Sequence, residues 1–505
     1  MAAIESLHKA WVAVLIGTNI LLSACATPGG GNPDALSSSL ASSLGSFGQL
    51  DHENNNTRHT AGIEGGVGLF ARTTLMDPIV RPVSTVKALY GLVIKSTGGF
   101  VERTVIERIR MPNLSRHPLP PVSNAVPMDL EAWEIELDEL TATKRTHGNI
   151  RFLVDGEEYF ERLTEVIEQA EKSIDIRTYI FDNDDVALKM ARLLREKSEA
   201  AEVRILVDGL ADLIATRLDS ETMPENLTLP SSMSEYLTYE SEIGFRKQSN
   251  PWLTGDHAKI TVVDGSYAFL GGMNIGREYR YDWHDLMMEL DGPIVARLQF
   301  EFDKAWAKSG VLGDFGWLVT TMKGYSHEKT QDGIPLRILT TSIHNSQLYR
   351  AQIAAIRRAQ NRIYIENAYF SDDKILYELA KARRRGVDVR VILGSDNDSG
   401  VLGLSNQKAI NTMLQHGIRV YSYPGMTHLK AAVFDGWACL GSANFDKLSL
   451  QINQEINIGL SDPETVEQLV QRVFHADFAA AIELTEPVRL AARHHFAEMI
   501  ADELF

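Results

Sequence analysis

The sequence has few cysteines and fewer basic than acidic residues, 50 against 67. Only two cysteines, Cys25 and Cys439, occur in 505 residues, and this number excludes a framework of several disulfides. The formal net charge is −17 at pH 7, which argues against a partner bound mainly through its phosphate backbone, such as bulk DNA or RNA. A local basic pocket for one phosphate stays compatible with this charge. Length and composition are those of an ordinary globular protein of two or three domains.

The N-terminus lacks a hydrophobic run long enough to span a membrane but has the pattern of an export signal. The apolar stretch "WVAVLIGTNILLSAC" ends at Cys25 and is too short for a membrane-spanning helix. Its end, "LSAC", resembles the lipobox of bacterial lipoproteins, which implies cleavage after residue 24 and acylation of Cys25. Ala26, in place of an aspartate, favours the outer membrane. Lys9 is the only basic side chain before the run and Glu5 offsets it, so an uncleaved leader with a chance cysteine is the alternative.

If Cys25 is acylated, Cys439 has no partner. We therefore expect no intrachain disulfide, even in an oxidising compartment. Cys439 stands in the apolar segment "WACLG" and is predicted to be a small buried hydrophobic residue.

A stretch rich in Gly, Ser and Asn follows Cys25 and predicts a flexible tether. Residues 80–111 carry helical signals, and a helix packed on the domain is favoured over one that lies on a membrane. The segment "HPLPPVSNAVP" then predicts a break in regular structure.

From residue 150 onwards, β-rich apolar runs alternate with amphipathic helices, which predicts α/β architecture with mostly buried strands. The second half repeats this order, and a shift of 189 residues superposes Ile174, Ile176 and Phe181 on Ile363, Ile365 and Phe370. We predict a signal peptide at 1–24, a tether and N-terminal extension at 25–149, and two copies of one domain at 150–325 and 326–505, the second with a C-terminal helix.

One chemical motif occurs in both copies. "HAKITVVD" contains His257, Lys259 and Asp264, and "HLKAAVFD" repeats the spacing with His428, Lys430 and Asp435. The matches continue downstream at Asn274 and Asn444, and then at Asp285 and Glu455. A lone His-x-Lys pair on a strand is ordinarily a solvated strand face. Two copies with matched downstream residues favour a functional site.

These residues resemble the phospholipase D superfamily, whose mark is a duplicated H-x-K-x4-D motif followed by G-[SG]-x-N. The resemblance covers residues 150–480, and "NPWLTGDHAK", "LGGMNIGREY" and "GSANFDKLSLQINQEINIGL" are similar to bacterial cardiolipin synthases more than to nucleases or eukaryotic phospholipases. It implies two tandem α/β domains, with mixed sheets flanked by helices, and an active site at a pseudo-twofold interface within a monomer. Gly272 departs from the family because it replaces the usual serine, and the second hairpin is one residue short.

The resemblance also implies roles for the motif residues. His257 is carried over as the nucleophile that forms a phosphohistidine and His428 as the general acid, although the sequence itself does not separate these roles. Lys259 and Lys430 would supply positive charge to the phosphoryl oxygens. The remaining members are Asn274, Ser442 and Asn444 as donors to the substrate phosphate, Asp285 and Glu455 as holders of the imidazoles, and Asp264 and Asp435, which complete the catalytic motif and are expected mainly to stabilise the hairpin and its lysine network.

No cofactor and no metal are predicted, because lysine is not a ligand and the acids and histidines lack zinc spacing. The function expected is a phosphatidyltransferase of the cardiolipin synthase type, with a phospholipid substrate and a lipid-anchored place in the bacterial envelope, facing the periplasm from the outer membrane. A phospholipase D hydrolase is the nearest alternative, and a nuclease or a catalytically silent lipid-binding lipoprotein are the others. The acceptor, which could be water, glycerol or a phospholipid headgroup, is left open.

Overall fold

The computed structural model describes residues 76–116, 118–209, 211, 222–224, 227–248, 254–325, 333–397 and 400–488. The predicted signal peptide, Cys25 and the tether lie outside these residues. We refer to residues 146–325 as the first half and to residues 333–488 as the second half.

Strands and helices alternate along both halves. The strands are β1 Thr146–Val154, β2 Ser173–Thr178, β3 Glu202–Asp208, β4 Gly244–Gln248, β5 Ile260–Val263, β6 Tyr267–Gly271, β7 Leu286–Asp291, β8 Ile334–Ser342, β9 Asn345–Ser346, β10 Arg362–Asn367, β11 Asp388–Gly394, β12 Arg419–Tyr423, β13 Lys430–Phe434, β14 Trp437–Gly441, β15 Glu455–Leu460 and β16 Ile482–Leu484. The helices are α1 Asp77–Val80, α2 Pro82–Val105, α3 Met111–Ser115, α4 Leu130–Thr141, α5 Asp155–Glu168, α6 Asp185–Lys197, α7 Met233–Thr238, α8 Pro293–Ser309, α9 Gly313–Lys323, α10 Gln347–Arg358, α11 Asp373–Arg384, α12 Gly400–Gln415, α13 Pro463–Leu469 and α14 His475–Ala480. Single π-helical turns cover Ile106–Arg110, Glu278–Asp282, Leu448–Ile452 and Val470–Phe474.

The strands of both halves join in one mixed sheet, in which the second half repeats the first in reverse order. The strand order is β16-β12-β11-β10-β13-β14-β15-β8-β1-β7-β6-β5-β2-β3-β4. In each half three parallel strands (β2-β3-β4 and β10-β11-β12) are followed by antiparallel strands, and β1 meets β8 antiparallel at the centre. The predicted α/β class in two copies, with helices flanking a mixed sheet, is confirmed.

The sequence places helix starts directly after the strands that carry the site. Asp184 caps α6 by accepting the N–H of Ala187 at 2.7 Å, and Asp372 caps α11 by accepting the N–H of Ile375 at 2.9 Å. A carboxylate at this position satisfies an N–H that the helix itself leaves unpaired. The two caps fix the chain where it leaves β2 and β10.

The two halves share a hydrophobic core and are therefore one packed unit. The cluster that contains Leu270 and Leu290 of the first half also contains Leu440 and Ile458 of the second half. Cys439 is a free, buried cysteine, as predicted.

Helix α2 packs on the sheet, which is the favoured prediction for this segment. The Lys95 ammonium donates to the hydroxyl of Ser346 at 2.8 Å and to the carbonyl of Gln451, and Ala88 is buried against Ile343. Residues 118–129 are without regular structure, as the proline-rich segment predicts. Among the described residues, no helix combines the length and apolar character that crossing a membrane requires.

Candidate active site

The two His-x-Lys motifs come together because the backbone of each half pairs with the other. The N–H of His257 donates to the carbonyl of Gln454 at 2.9 Å, and the N–H of His428 donates to the carbonyl of His284 at 2.7 Å. Each histidine is thus hydrogen-bonded to the residue that precedes the acid of the opposite half. The arrangement is a local pseudo-twofold axis between the halves, as the resemblance implied.

The two acids are exchanged between the halves. Nδ1 of His257 lies 3.0 Å from Oε1 of Glu455, and Nδ1 of His428 lies 2.6 Å from Oδ2 of Asp285. Both carboxylates are fully buried. A carboxylate on Nδ1 fixes the orientation of the ring and leaves Nε2 for chemistry. The structure therefore agrees with the prediction that these acids hold the imidazoles, and adds that each one serves the histidine of the other copy.

Both motif lysines are buried beside the histidines. The ammonium of Lys259 donates to the carbonyl of His257 at 2.8 Å, and that of Lys430 donates to the carbonyl of His428. Burial lowers the pKa of Lys259 to about 7; the negative charge of Glu455 opposes this and the positive charge of Lys430 adds to it. Two cations at this depth attract an anionic group.

Burial is also the main influence on the histidines. It lowers the pKa of His257, an effect that Glu455 opposes and Lys259 reinforces. It lowers the pKa of His428 well below its ordinary value, and Lys430, Lys259 and His257 act in the same direction. Burial raises the pKa of Asp285 to about 7. An anionic phosphodiester between the two rings would raise the pKa values of both histidines, because it would offset the positive charge of the lysines.

The asparagines are held differently from each other. Oδ1 of Asn274 accepts from the hydroxyl of Thr178 at 3.1 Å and from the N–H of Ile180 at 3.2 Å, so that its amide nitrogen is the group left to donate. Asn444 is buried, and its Oδ1 makes no hydrogen bond with any described residue. Both positions are compatible with the predicted amide donors to a phosphate.

Ser442, which is predicted to donate to a phosphate, has another partner in this structure. Its hydroxyl donates to Oε2 of Glu455 at 2.5 Å and accepts the N–H of Ile456 at 3.1 Å. The side chain is fully buried. Ser442 thus steadies the acid that orients His257.

The structure also explains why Gly272 stands where the family has a serine. A Cβ atom at Gly272 would lie 2.2 Å from Oδ1 of Asp285, closer than any real contact. The backbone N–H of Gly272 donates to the carbonyl of Leu286 at 3.1 Å. This backbone amide is therefore already engaged and does not replace the serine hydroxyl as a donor to phosphate.

Asp264 and Asp435, which complete the motif, lie away from the histidines. They stand at the far ends of β5 and β13, about 16 Å along the strand from the motif lysines, with φ angles of 54° and 53°. The carboxylate of Asp264 accepts the N–H groups of residues 171–173, and that of Asp435 accepts the N–H groups of residues 128 and 360–362. These bonds are those expected of residues that stabilise the hairpins, although they run to backbone amides instead of a lysine network.

Aromatic side chains surround the histidines, and most of them were missed in the sequence. The ring of Tyr179 meets that of His257 edge-on at 4.9 Å, and the rings of Tyr279 and Trp283 lie 5.5 and 5.2 Å from that of His428. Tyr179 follows the end of β2 directly. The signal for the other two was the aromatic run "EYRYDW" directly before the acid of the first copy.

Comparison with known families agrees with this geometry. The family model described as "Cardiolipin synthase, PLD-like domain" matches residues 163–306 and 352–477. This match confirms the resemblance that the duplicated motif indicated.

Two curated relatives and one solved structure are similar to the chain. A probable cardiolipin synthase, YwiE, from Bacillus subtilis is 30% identical over 341 residues, which are 64% of this chain and 65% of that protein. Cardiolipin synthase A from Pseudomonas fluorescens is 28% identical over 360 residues, 67% of this chain and 70% of that protein. The crystal structure of phosphatidylserine synthase from Haemophilus influenzae Rd KW20 aligns with a TM-score of 0.57 and 15% identity, covering 74% of this chain and 96% of the other. This last similarity concerns the fold alone.

Proposed function

This chain belongs to the family of phospholipase D-like cardiolipin synthases, and we propose that it transfers phosphatidyl groups between alcohols of phospholipids. The observation that carries the proposal is the pair of buried histidines, each held at Nδ1 by an acid of the opposite half and accompanied by a buried lysine. Two imidazoles can act as nucleophile and proton donor near neutral pH. The lysines supply the positive charge that developing phosphoryl oxygens need.

The reaction proceeds by two in-line displacements. In the first, Nε2 of His257 attacks the phosphorus, and the bond to the leaving alcohol breaks as His428 gives that oxygen its proton. This produces a phosphohistidine and a free alcohol. In the second, an acceptor alcohol loses its proton to His428 and attacks the phosphorus, and the phosphorus–nitrogen bond breaks. Asp285 stabilises the imidazolium form of His428 at the stage that precedes proton donation.

The acceptor decides between the two nearest activities. If the hydroxyl of a second phosphatidylglycerol attacks, the products are cardiolipin and glycerol, whereas water gives phosphatidic acid. The relatives named cardiolipin synthase favour an alcohol as acceptor. The net charge of −17 disfavours a nuclease. The matched histidines, lysines and acids disfavour a catalytically silent lipoprotein.

The proposal includes a place at a membrane surface. The lipobox-like "LSAC" would anchor the chain through acylated Cys25 on the periplasmic side of the outer membrane. Helices α2 and α9 lie side by side, with the N–H of Ser84 donating to Asp314 at 2.9 Å. Their outer faces and the turn before α9 carry exposed apolar side chains, which define an apolar patch: Val83, Val86, Tyr90, Val93, Ile94, Val311, Leu312, Phe315, Leu318 and Met322. A patch of this kind is typical of surfaces that contact lipid or protein.

The deciding experiment incubates the purified full chain with isotope-labelled phosphatidylglycerol and phosphatidylethanolamine and separates the products by mass spectrometry. We expect labelled cardiolipin and free glycerol. Phosphatidic acid as the main product would mean that the chain is a phospholipase D hydrolase and not a transferase.

Variants assign the chemistry to the site. His257→Ala and His428→Ala should abolish turnover, while His147→Ala, a histidine outside the site, should retain it. Absence of both products from the parent chain, or unchanged turnover in His257→Ala, would contradict the assignment of a phospholipid-cleaving site.

A further inference from the structure

A second cluster of buried ionisable side chains, formed by His284, Glu366 and Asp477, lies beside the active site. Its member His284 directly precedes Asp285, the acid that holds the His428 ring. Nε2 of His284 and one carboxylate oxygen each of Glu366 and Asp477 lie within 4.8 Å of one another. The exposed fractions of the three residues are 9%, 0% and 5%. Among the described residues, Oε2 of Glu366 makes no hydrogen bond, while Nε2 of His284 and Oδ2 of Asp477 face each other at 3.2 Å. Buried carboxylate oxygens without a partner are costly, so a positive charge between them would be strongly stabilising.

The other contacts of the cluster prepare its three atoms for a ligand. Nδ1 of His284 lies 2.6 Å from Oδ1 of Asp155 and donates there. Burial lowers the pKa of His284, but its hydrogen bonds to Asp155 and Asp477 and the charge of Glu366 prevail and raise the pKa to about 12, so an ion binds at Nε2 by displacing a proton. Nε2 faces Oδ2 of Asp477 at 3.2 Å and Oε1 of Glu366 at 3.9 Å. The hydroxyl of Thr427 donates to Oε1 of Glu366 at 2.7 Å and fixes that carboxylate. A carboxylate behind the distant nitrogen of a histidine is the arrangement that orients histidine ligands of metal ions.

The pseudo-twofold axis provides an internal comparison. The residues that correspond to Glu366, Thr427 and His284 in the first half are Arg177, Asp256 and Gln454. There the guanidinium of Arg177 pairs with Asp256 at 2.6 Å and reaches Oε1 of Gln454 at 3.4 Å. The first half thus carries a fixed cation of its own at this position, and the second half carries an acid instead.

We propose that His284, Glu366 and Asp477 bind a divalent metal ion of the Zn²⁺ or Mn²⁺ class. One imidazole nitrogen and two carboxylate oxygens suit these ions, which accept mixed nitrogen and oxygen ligands. The ion takes the place that the Arg177 guanidinium has in the first half.

The ion would brace the residues that orient His428. The carbonyl of His284 accepts the N–H of His428 at 2.7 Å. The next residue, Asp285, holds the His428 ring, and its carbonyl accepts the N–H of Asp155 at 2.9 Å. His284 is therefore a positioning residue, and the metal is outside the phosphoryl-transfer steps.

The test is metal binding by the purified full chain, which is independent of turnover. The protein is treated with a chelator, dialysed, and titrated with Zn²⁺ or Mn²⁺, while bound metal is measured by elemental analysis and Mn²⁺ by paramagnetic resonance. We expect one ion per chain and a higher Tm in its presence, because a ligand that binds only the folded state stabilises it. Glu366→Gln and Asp477→Asn each remove a charged ligand and should weaken binding of the ion at least roughly tenfold, since even the loss of groups that only support the ligands has an effect of this size.

The matched control is Glu289→Gln, which removes a buried carboxylate that already has a protein cation, since Arg162 pairs with it at 2.7 Å. Metal binding should be unchanged in this variant. If the parent chain takes up no ion at micromolar concentration, a proton on His284 neutralises the cluster and the proposal fails. Uptake that persists unchanged in both cluster variants would place the ion elsewhere and equally overturn it.

Discussion

Single residues at the site depend on partners that are far away in the chain. His257 is held by Glu455 and His428 by Asp285, with Nδ1–oxygen distances of 3.0 and 2.6 Å. The acids differ in length, and their surroundings differ accordingly. Ser442 supports the longer glutamate, whereas Gly272 leaves room for the shorter aspartate.

The exchange of acids predicts which step each one supports. Glu455→Gln should slow formation of the phosphohistidine, because it misorients His257. Asp285→Asn should impair protonation of the leaving alcohol, because it acts through His428. We expect turnover to fall on the order of 100-fold or more in each variant.

Rapid quenching after mixing with labelled phosphatidylglycerol measures the first step. A substrate with a more acidic leaving alcohol needs less protonation, so it should restore the first step in Asp285→Asn and leave Glu455→Gln slow. The reverse pattern would assign the nucleophile to His428.

Gly272→Ser restores the residue usual in the family and should nevertheless be harmful. The new Cβ would lie 2.2 Å from Oδ1 of Asp285, and overpacking of this kind costs about 1–3 kcal/mol of unfolding free energy. Displacement of Asp285 should also lower turnover through His428. Urea unfolding and product assays measure both effects. Full stability together with full turnover would contradict the contact, and Gly272→Ser combined with Asp285→Gly should recover stability without activity.

The lowered pKa of Lys259 predicts how binding of a phosphate-like anion depends on pH. Burial lowers its pKa to about 7, so the folded protein loses this positive charge as pH rises through 7, while an unfolded lysine keeps it. Asp285, whose pKa burial raises to about 7, gains negative charge in the same range. Both changes weaken anion binding, and the affinity for sulfate should fall between pH 6 and pH 9.

Calorimetry checks this dependence with sulfate, whose charge is constant over the range. Lys259→Arg keeps the positive charge at every pH used and should flatten the curve, leaving only the contribution of Asp285. An affinity that rises with pH would refute the lowered pKa.

At the level of elements, the hairpins β5–β6 and β13–β14 are anchored by the acids that complete the motif. Asp264 and Asp435 occupy left-handed positions at the turns, and their carboxylates bind backbone N–H groups of the segments that lead into β2 and β10. Partial burial would raise the pKa of Asp264, but its hydrogen bonds to the N–H groups of residues 171–173 prevail and lower it. The acids therefore tie each hairpin to its neighbouring strand.

Asp264→Asn and Asp285→Asn make the same chemical change at different places. The first should lower stability and retain turnover, whereas the second should lower turnover. Asparagine tolerates a positive φ, so Asp264→Asn tests the hydrogen bonds of the carboxylate and should lower the unfolding free energy by about 1–3 kcal/mol. Its turnover per folded molecule should be retained. Denaturant unfolding and turnover at saturating substrate separate the two quantities, and a loss of turnover without loss of stability would return Asp264 to the catalytic site.

At the level of the whole molecule, one sheet carries both halves, and helices α2 and α9 present an apolar outer surface. The shared core across β6, β7, β14 and β15 fixes the halves relative to each other. This explains how two motifs that are far apart in the sequence form a site of defined geometry. It also gives the apolar patch a fixed orientation towards the site, since Lys95 of α2 binds Gln451, close in the chain to Glu455.

The patch predicts binding to vesicles. Val86→Asp with Phe315→Asp removes two side chains that are 66% and 63% exposed. Because burial of one such side chain contributes about 1.5–3 kcal/mol, partition into phosphatidylglycerol–phosphatidylethanolamine vesicles should fall roughly tenfold or more. Cosedimentation in a Cys25→Ser background, which removes any acyl chain, measures the patch alone.

Ile135→Asp on α4 is the matched control, because Ile135 is equally exposed, at 66%, but lies outside the patch. It should leave partition unchanged. Equal loss in the control and the patch variant would mean that added charge, and not the patch, governs binding.

The fold class, the duplication and the paired His-x-Lys motifs could be predicted from the sequence alone. Strand and helix periods are local properties, and a motif repeated with the same spacing carries its chemistry with it, as His257 and His428 illustrate. The tertiary structure alone decided the partners. It exchanged Asp285 and Glu455 between the histidines, turned Ser442 towards Glu455, and gathered His284, Glu366 and Asp477 from three separate segments. Spacing along the chain cannot reveal such contacts, because they are set by how the two halves pair across the pseudo-twofold axis.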